Sequence, residues 1–189
     1  ILIKNWYLYA TAARHHYNYD YRNFAKKILQ RIETISIRNL KKTDTKVLSY
    51  MQLGLAKIYS REGQSREIIE EKVISSYKLF PQNISSLLWA ADFKYRNYKI
   101  LINLKSKKNT SDAKLNLAES NQLYLKAETA VSEELDKRQE ERLYREEHIY
   151  HDFKVEIFRG LARTLQAEDL DPEAQIALEE QRKDYLIEA

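Results

Sequence analysis

Only three glycines and two prolines occur in 189 residues, well below ordinary usage. β-Turns draw on glycine for positive φ and on proline for a pre-set φ, so their scarcity leaves little room for sheet. Alternating strand-like runs are almost absent, while apolar residues recur at helical spacing. The expected fold class is all-α. A chain of this length can bury a sizeable core as one domain.

Two of the few breakers punctuate one stretch, Ser49 to Asn83. Met51, Leu55, Ile58 and Tyr59 recur at helical spacing, and so do Ile69, Val73, Ser76, Tyr77 and Phe80. Gly63 ends the first segment at a position suited to positive φ. Pro81 stops the second, because it cannot donate to a continuing helix and disfavours helical geometry just before it. The pattern predicts two short antiparallel helices joined at Gly63. Asn83 or Ser85 can cap the helix that follows, which carries Leu87, Leu88, Ala90, Ala91 and Phe93.

Leu55, Ala56, Tyr59, Gly63, Ile69, Ser76 and Pro81 resemble the tetratricopeptide repeat (TPR). Residues 1–34 give a further pair, with Trp6, Tyr9, Ala10 and Ala13 in one stripe and Phe24, Ile28, Leu29, Ile32 and Ile35 in another. Trp6-x-x-Tyr9-Ala10 followed by Ala25-Lys26-Lys27-Ile28-Leu29-Gln30-Arg31 is similar to the half-a-TPR (HAT) variant. Asp20-Tyr21 and Asn97-Tyr98 fall where such repeats turn, and residues 36–47 read as a basic connector or one extra helical turn. The resemblance covers residues 1–104. It implies three hairpins in a right-handed solenoid, a non-catalytic scaffold whose concave face holds a partner segment.

Lys105–Asp112 reads as a loop, with Ser111 or Asp112 as an N-cap. The helices then lengthen over 113–189. In 113–135, Leu115, Ala118, Gln122 and Leu125 define one face, and Leu117, Tyr124, Val131 and Leu135 the opposite one, as in a helix buried on two sides. Residues 136–142 read as a break. Leu143, Tyr150, Phe153, Ile157, Leu161 and Leu165 make the next stripe, over about 139–168. Asp171 and Pro172 open a last helix, with Ala174, Leu178 and Tyr185 inward and Ile176, Leu186 and Ile187 off that stripe. Those three residues predict that 172–189 docks on a further part of the same chain or on another subunit. Residue 1 is Ile, and the chain is expected to be a piece of a longer one.

The net charge of +4 divides unevenly. Residues 1–110 carry 21 Lys and Arg against 8 Asp and Glu, and residues 111–189 carry 11 against 20. Arg22, Lys26, Lys27, Arg31, Arg38, Lys41, Lys42 and Lys46 form the densest basic track, beside Tyr17, Tyr19 and Tyr21. By analogy with TPR grooves, Lys4, Tyr7, Arg14, Gln52, Lys57 and Lys94 line the concave face. Partner binding is assigned to these six with Arg22, Lys26, Lys27 and Arg31. An acidic protein segment is the expected ligand. The rival reading is an RNA-processing scaffold that contacts RNA through the basic and tyrosine-rich track over 17–46.

No Gly-rich phosphate loop, nucleophile elbow or Cys-His pair occurs, and no enzyme is expected. His148-x-x-His151, with Glu147 and Asp152, is read as a solvated helix face rather than a metal site. His15-His16 is given a structural role at a helix end. No cofactor is expected. The absence of cysteine and of any apolar run near about 20 residues points to an intracellular setting without a membrane span.

Overall fold

The computed structural model describes residues 19–38, 44–104, 107–140, 147–165 and 172–188. Among these residues there are seven helices and no strand: α1 (Tyr19–Arg38), α2 (Thr45–Arg61), α3 (Arg66–Leu79), α4 (Ile84–Asn103), α5 (Lys107–Glu140), α6 (Glu147–Thr164) and α7 (Pro172–Glu188). The chain is all-α. It divides into two compact units, Ile1–Ser86 and Leu87–Ala189, and the division falls inside α4.

In the first unit α1 packs on α2, and α2 packs on α3. Ala25, Leu29 and Ile32 of α1 face Met51, Leu55 and Ile58 of α2, all buried and all spaced at four and then three residues. Each large side chain in this seam is worth about 1.5–3 kcal/mol relative to exposure. The oxygen of the Asp44 side chain starts α2 by accepting from the amides of Lys46 (2.9 Å) and Val47 (3.4 Å). Gly63 closes it at φ 69°, its amide donating to Ser60 O, while the Gln64 amide reaches Tyr59 O. That pair of bonds is a Schellman motif, which requires positive φ at this residue. Phe80, just before Pro81, is extended at φ −147°, ψ 92°, and ends α3.

A buried polar knot joins α2, α3 and the start of α4. Ser76 Oγ donates to Ser49 O at 2.6 Å. Its one proton is then committed, so its lone pairs accept from the hydroxyls of Ser49 (3.2 Å) and Ser86 (2.5 Å). Asn83 Nδ2 donates to Ser49 Oγ at 2.7 Å, and Asn83 Oδ1 caps α4 by accepting from the Ser86 amide at 3.1 Å. Ser49, Ser76, Asn83 and Ser86 are all fully buried. The cap falls on Asn83, the first of the two residues expected.

In the second unit α5 packs on α6 and α6 on α7, and Ser120 Oγ of α5 donates to Ala91 O of α4 at 2.8 Å. Tyr124 and Val131 of α5 and Ile157 and Leu161 of α6 are completely buried. Phe158 of α6 stacks on Tyr185 of α7 with ring centroids 5.9 Å apart. Ile176, Leu186 and Ile187 are exposed.

Several expectations are corrected. Asn97 and Tyr98 make no turn: α4 runs unbroken through them, and both are buried. No Gly or Pro stands in 84–103 to break a helix there. Residues 107–112 are the first turns of α5, not a loop; Ser111 and Asp112 lie inside the helix, and Asn116 Nδ2 bonds back to Asp112 O. The break expected at 136–142 begins no earlier than 141, because α5 continues through Glu140 with a Glu134–Arg138 pair four residues apart at 3.1 Å. α5 is not buried on two sides: the face of Leu115, Ala118, Gln122 and Leu125 is open, with Leu115 and Leu125 58% and 41% exposed. Phe24 is 47% exposed instead of joining the core stripe of α1. It stands one residue before Ala25, so it points about 100° away from the buried line.

Trp6, Tyr9, Ala10, Ala13, His15, His16, Tyr17, Lys41, Lys42, Leu143 and Asp171 lie outside the described residues.

Candidate functional site

Lys27 and Arg31 are exposed on α1, and with Phe24 they follow the spacing i, i+3, i+7. One helix face therefore presents an aromatic ring and two cations to solvent. Lys26, their neighbour in the basic track, is turned inward: its Nζ lies 2.6 Å from Glu62 Oε2 and 5.3 Å from the centre of the Tyr59 ring. Gln30 Nε2 donates to Tyr59 OH at 3.0 Å. The aromatic of the TPR-like pattern thus anchors α1 to α2 through Lys26 and Gln30.

Gln52 is buried rather than on an open groove. Its Nε2 donates to Glu33 Oε1 at 2.7 Å, and Lys72 Nζ reaches the same oxygen at 2.8 Å. Burial acts first on Lys72, pulling its pKa down, but the bond to Glu33 and its charge outweigh this and hold the ammonium above its ordinary value. Gln52 Oε1 is buried without a hydrogen-bond partner among the described residues. Lys57 is half-buried and engaged. Lys46 lies 5.5 Å from the centre of the Phe80 ring. Arg22 and Arg38 belong to the first and last turns of α1, and Tyr19 and Tyr21 to the first. Lys4, Tyr7 and Arg14 lie outside the described residues. Within the first unit the structure brings together Lys27 and Arg31, while Lys26 and Gln52 serve the fold.

Lys94, in the second unit, pairs with Glu119 at 2.6 Å. That unit also holds a feature the sequence reading missed, a cleft of about 550 Å³. Asp92 of α4, Tyr124 of α5, Glu156, Arg159 and Arg163 of α6, and Arg182 of α7 bring their polar groups to it. Tyr124 OH donates to Asp92 Oδ1 at 2.6 Å. Arg163 Nη2 donates to the same carboxylate oxygen at 3.3 Å and to Tyr124 OH at 3.2 Å. The Arg163 guanidinium lies over the Tyr95 ring, 5.4 Å from its centre. No local pattern could have shown this cluster, because Asp92 and Arg163 stand 71 residues apart.

Burial first, and then the bond to the Asp92 carboxylate, push the Tyr124 phenol well above its ordinary value of 10.0, against the opposing pull of Arg163. A folded-state pKa above the unfolded one contributes stability that is complete below the unfolded value and is lost as pH rises past it. In the unfolded chain the phenol ionises near pH 10 while the folded state still holds its proton. Lys72 is shifted in the same direction. The melting temperature should therefore begin to fall near pH 10 and keep falling above it, and Tyr124→Phe should fall less steeply. Parallel slopes for the two proteins would remove Tyr124 as a cause.

His148, His151 and Asp152 are exposed on α6. Among the described residues no three His, Cys, Asp or Glu side chains are grouped to hold a metal ion. No helix among them is long and apolar enough to cross a membrane. No family model, curated protein or solved structure matches the chain.

Proposed function

We propose that this chain is a non-catalytic, TPR-like interaction module, a helical-hairpin solenoid whose first unit binds an acidic segment of another protein. The observation that carries the reading is the exposed stripe of Phe24, Lys27 and Arg31 on α1. Neighbouring cations are engaged within the fold: Lys26 by Glu62 and Lys72 by Glu33. An aromatic ring beside two exposed charges suits a segment that alternates carboxylates with an apolar residue. The hairpin of α2 and α3, closed by Gly63 and joined to α4 by the Ser49–Ser76–Asn83–Ser86 knot, supplies the rigid backing such a surface needs.

The test follows from the same geometry. Lys27→Glu with Arg31→Glu reverses two exposed charges without disturbing an internal pair, whereas Lys26→Glu would also break the bond to Glu62. The double variant should keep its melting temperature and, compared in an Arg159→Gln background so that the second-unit cleft does not contribute, bind a short fluorescein-labelled Glu/Leu peptide at least about tenfold more weakly at about 50 mM salt. The wild type should also weaken between about 50 and 300 mM salt, because exposed charges are screened. Unchanged binding across both comparisons would show that the stripe is only solvated. Preferential binding of single-stranded RNA, lost in the double variant, would favour the RNA-scaffold reading instead.

A further inference from the structure

The cleft of the second unit carries a charge imbalance that the fold does not use. Among the described residues, three guanidinium groups reach it, from Arg159, Arg163 and Arg182, and two carboxylates, from Asp92 and Glu156. Arg163 and Asp92 are committed to one another and to Tyr124. Arg182 touches Glu179 on its own helix at 3.5 Å, with both side chains about half exposed, a contact of small worth. No ion pair engages the Arg159 guanidinium among the described residues. Among the groups lining the cleft the guanidiniums exceed the carboxylates by one, at the mouth between α6 and α7, and Glu179, outside the lining, offsets Arg182 only weakly. The remaining wall is apolar, made by Leu88, Ala162 and the exposed Leu186.

We infer that this cleft binds a segment of a partner protein that presents one carboxylate side chain next to an apolar one. The carboxylate sits between Arg159 and Arg182, and the apolar side chain lies against Leu88, Ala162 and Leu186. Guanidinium groups match a carboxylate with paired N–H donors. A volume of about 550 Å³ lies in the range of sites that enclose small ligands or a few side chains. A nucleic-acid backbone fits less well. Its successive phosphates would meet Glu156 and Asp92 as well as the arginines, and the one aromatic ring lining the cleft, Tyr124, is buried and committed to Asp92 and Arg163, so it offers no stacking platform. The Tyr124–Asp92–Arg163 cluster is the floor that positions α4 and α6 on either side of the ligand. The inference rests on the reading of the chain as a partner-binding module only for the choice of a peptide. Its residues are independent of the α1 stripe.

The test is a calorimetric titration of the whole chain with the short peptide Gly-Ser-Leu-Glu-Gly, acetylated and amidated so that its only charge is the Glu carboxylate. The Leu-Gln twin and a single-stranded RNA oligonucleotide serve as comparisons. The Glu peptide should bind at least about tenfold more tightly than the twin, and Arg159→Gln should remove most of that difference. Glu156→Gln should tighten the Glu peptide by a few-fold, because it deletes a competing negative charge, a gain that a merely structural role for Glu156 would not give. Lys27→Glu with Arg31→Glu should leave the Glu-peptide affinity unchanged, which separates this site from the first-unit stripe. Equal affinity for the two peptides, or no effect of Arg159→Gln in a protein with unchanged helicity, overturns the inference. RNA binding that depends on Arg159 and competes with the peptide overturns it in favour of a nucleic-acid site.

Discussion

Gly160→Ala is expected to lower the stability of the protein by about 3 kcal/mol, at the upper end of the usual penalty for overpacking. Gly160 lies in the interior of α6, where alanine is otherwise the better residue by about 1 kcal/mol. A Cβ placed there would clash with the Cε1, Cζ and Cδ1 atoms of the Tyr124 ring, well inside van der Waals contact. Tyr124 has no spare room, being only 1% exposed. To accept the methyl group the ring must leave its place, and its OH then loses Asp92. The glycine is present because a helix and an aromatic ring share one volume. A melting temperature lowered by roughly 6–12 °C is the readout, from about 2–4 °C per kcal/mol in a chain of this size. The companion variant makes the cause explicit. With Tyr124→Ala in place, the same Gly160→Ala change should cost little or become stabilising, since only helix propensity remains. If Gly160→Ala costs as much beside Ala at 124 as beside Tyr, the ring is not the reason for the glycine.

Asn83→Ala should cost about 2–3 kcal/mol, a large effect for losing one amide. The side chain is fully buried and does two things at once. Its Oδ1 caps α4 at the Ser86 amide, a bond worth about 1 kcal/mol. Its Nδ2 donates to Ser49 Oγ, inside a knot whose other members are also sealed from water. Alanine removes both bonds. The Ser86 amide keeps its main-chain bond to Asn83 O at 2.9 Å and the Ser49 hydroxyl its bond to Ser76. The buried Ser49 oxygen loses its donor, a loss of about 1–3 kcal/mol. Asn83→Ser separates the two contributions, because a serine oxygen can cap the helix but cannot reach Ser49. It should recover roughly half of the loss. Equal destabilisation by Ala and Ser would place the whole effect on the Ser49 bond, and a neutral Ala variant would contradict the knot.

Where one residue and its near neighbours determine the structure, the sequence was legible. Gly63 sits at positive φ at the end of α2, and Pro172 is the first residue of α7. The stripes Met51–Leu55–Ile58 and Ile157–Leu161 are buried as their spacing indicates. Reading failed where a polar local pattern was taken for a break. Asn97-Tyr98 and 107–112 contain no Gly or Pro, and tertiary packing carries the helix through them. It failed again on faces. Leu115 and Phe24 are apolar at helical spacing, yet periodicity does not say whether a neighbouring helix exists to cover them. Ser76 was legible as a small packing position, but not as a hydroxyl with three hydrogen-bond partners.

The candidate site was less legible still. Of the basic track, Lys27 and Arg31 stand exposed, while Lys26 is drawn to Glu62, 36 residues away. The pairing of a cation with a distant carboxylate follows from how α1 crosses α2, which composition does not encode. The cleft depends on residues from four helices, so neither its arginines nor its Tyr124 floor carries a local signature.

The most direct measurement is a competition between acid and RNA for the first unit. The whole chain, saturated with the fluorescein-labelled Glu/Leu peptide at about 50 mM salt, would be titrated in one series with the unlabelled peptide and in another with single-stranded RNA of equal length. The account predicts that the unlabelled peptide displaces the label at far lower concentration than RNA does. It also predicts that, in an Arg159→Gln background that takes the second-unit cleft out of the readout, Lys27→Glu with Arg31→Glu abolishes most of the starting polarisation. Displacement by RNA at equal or lower concentration, or full polarisation in the double variant, would contradict it.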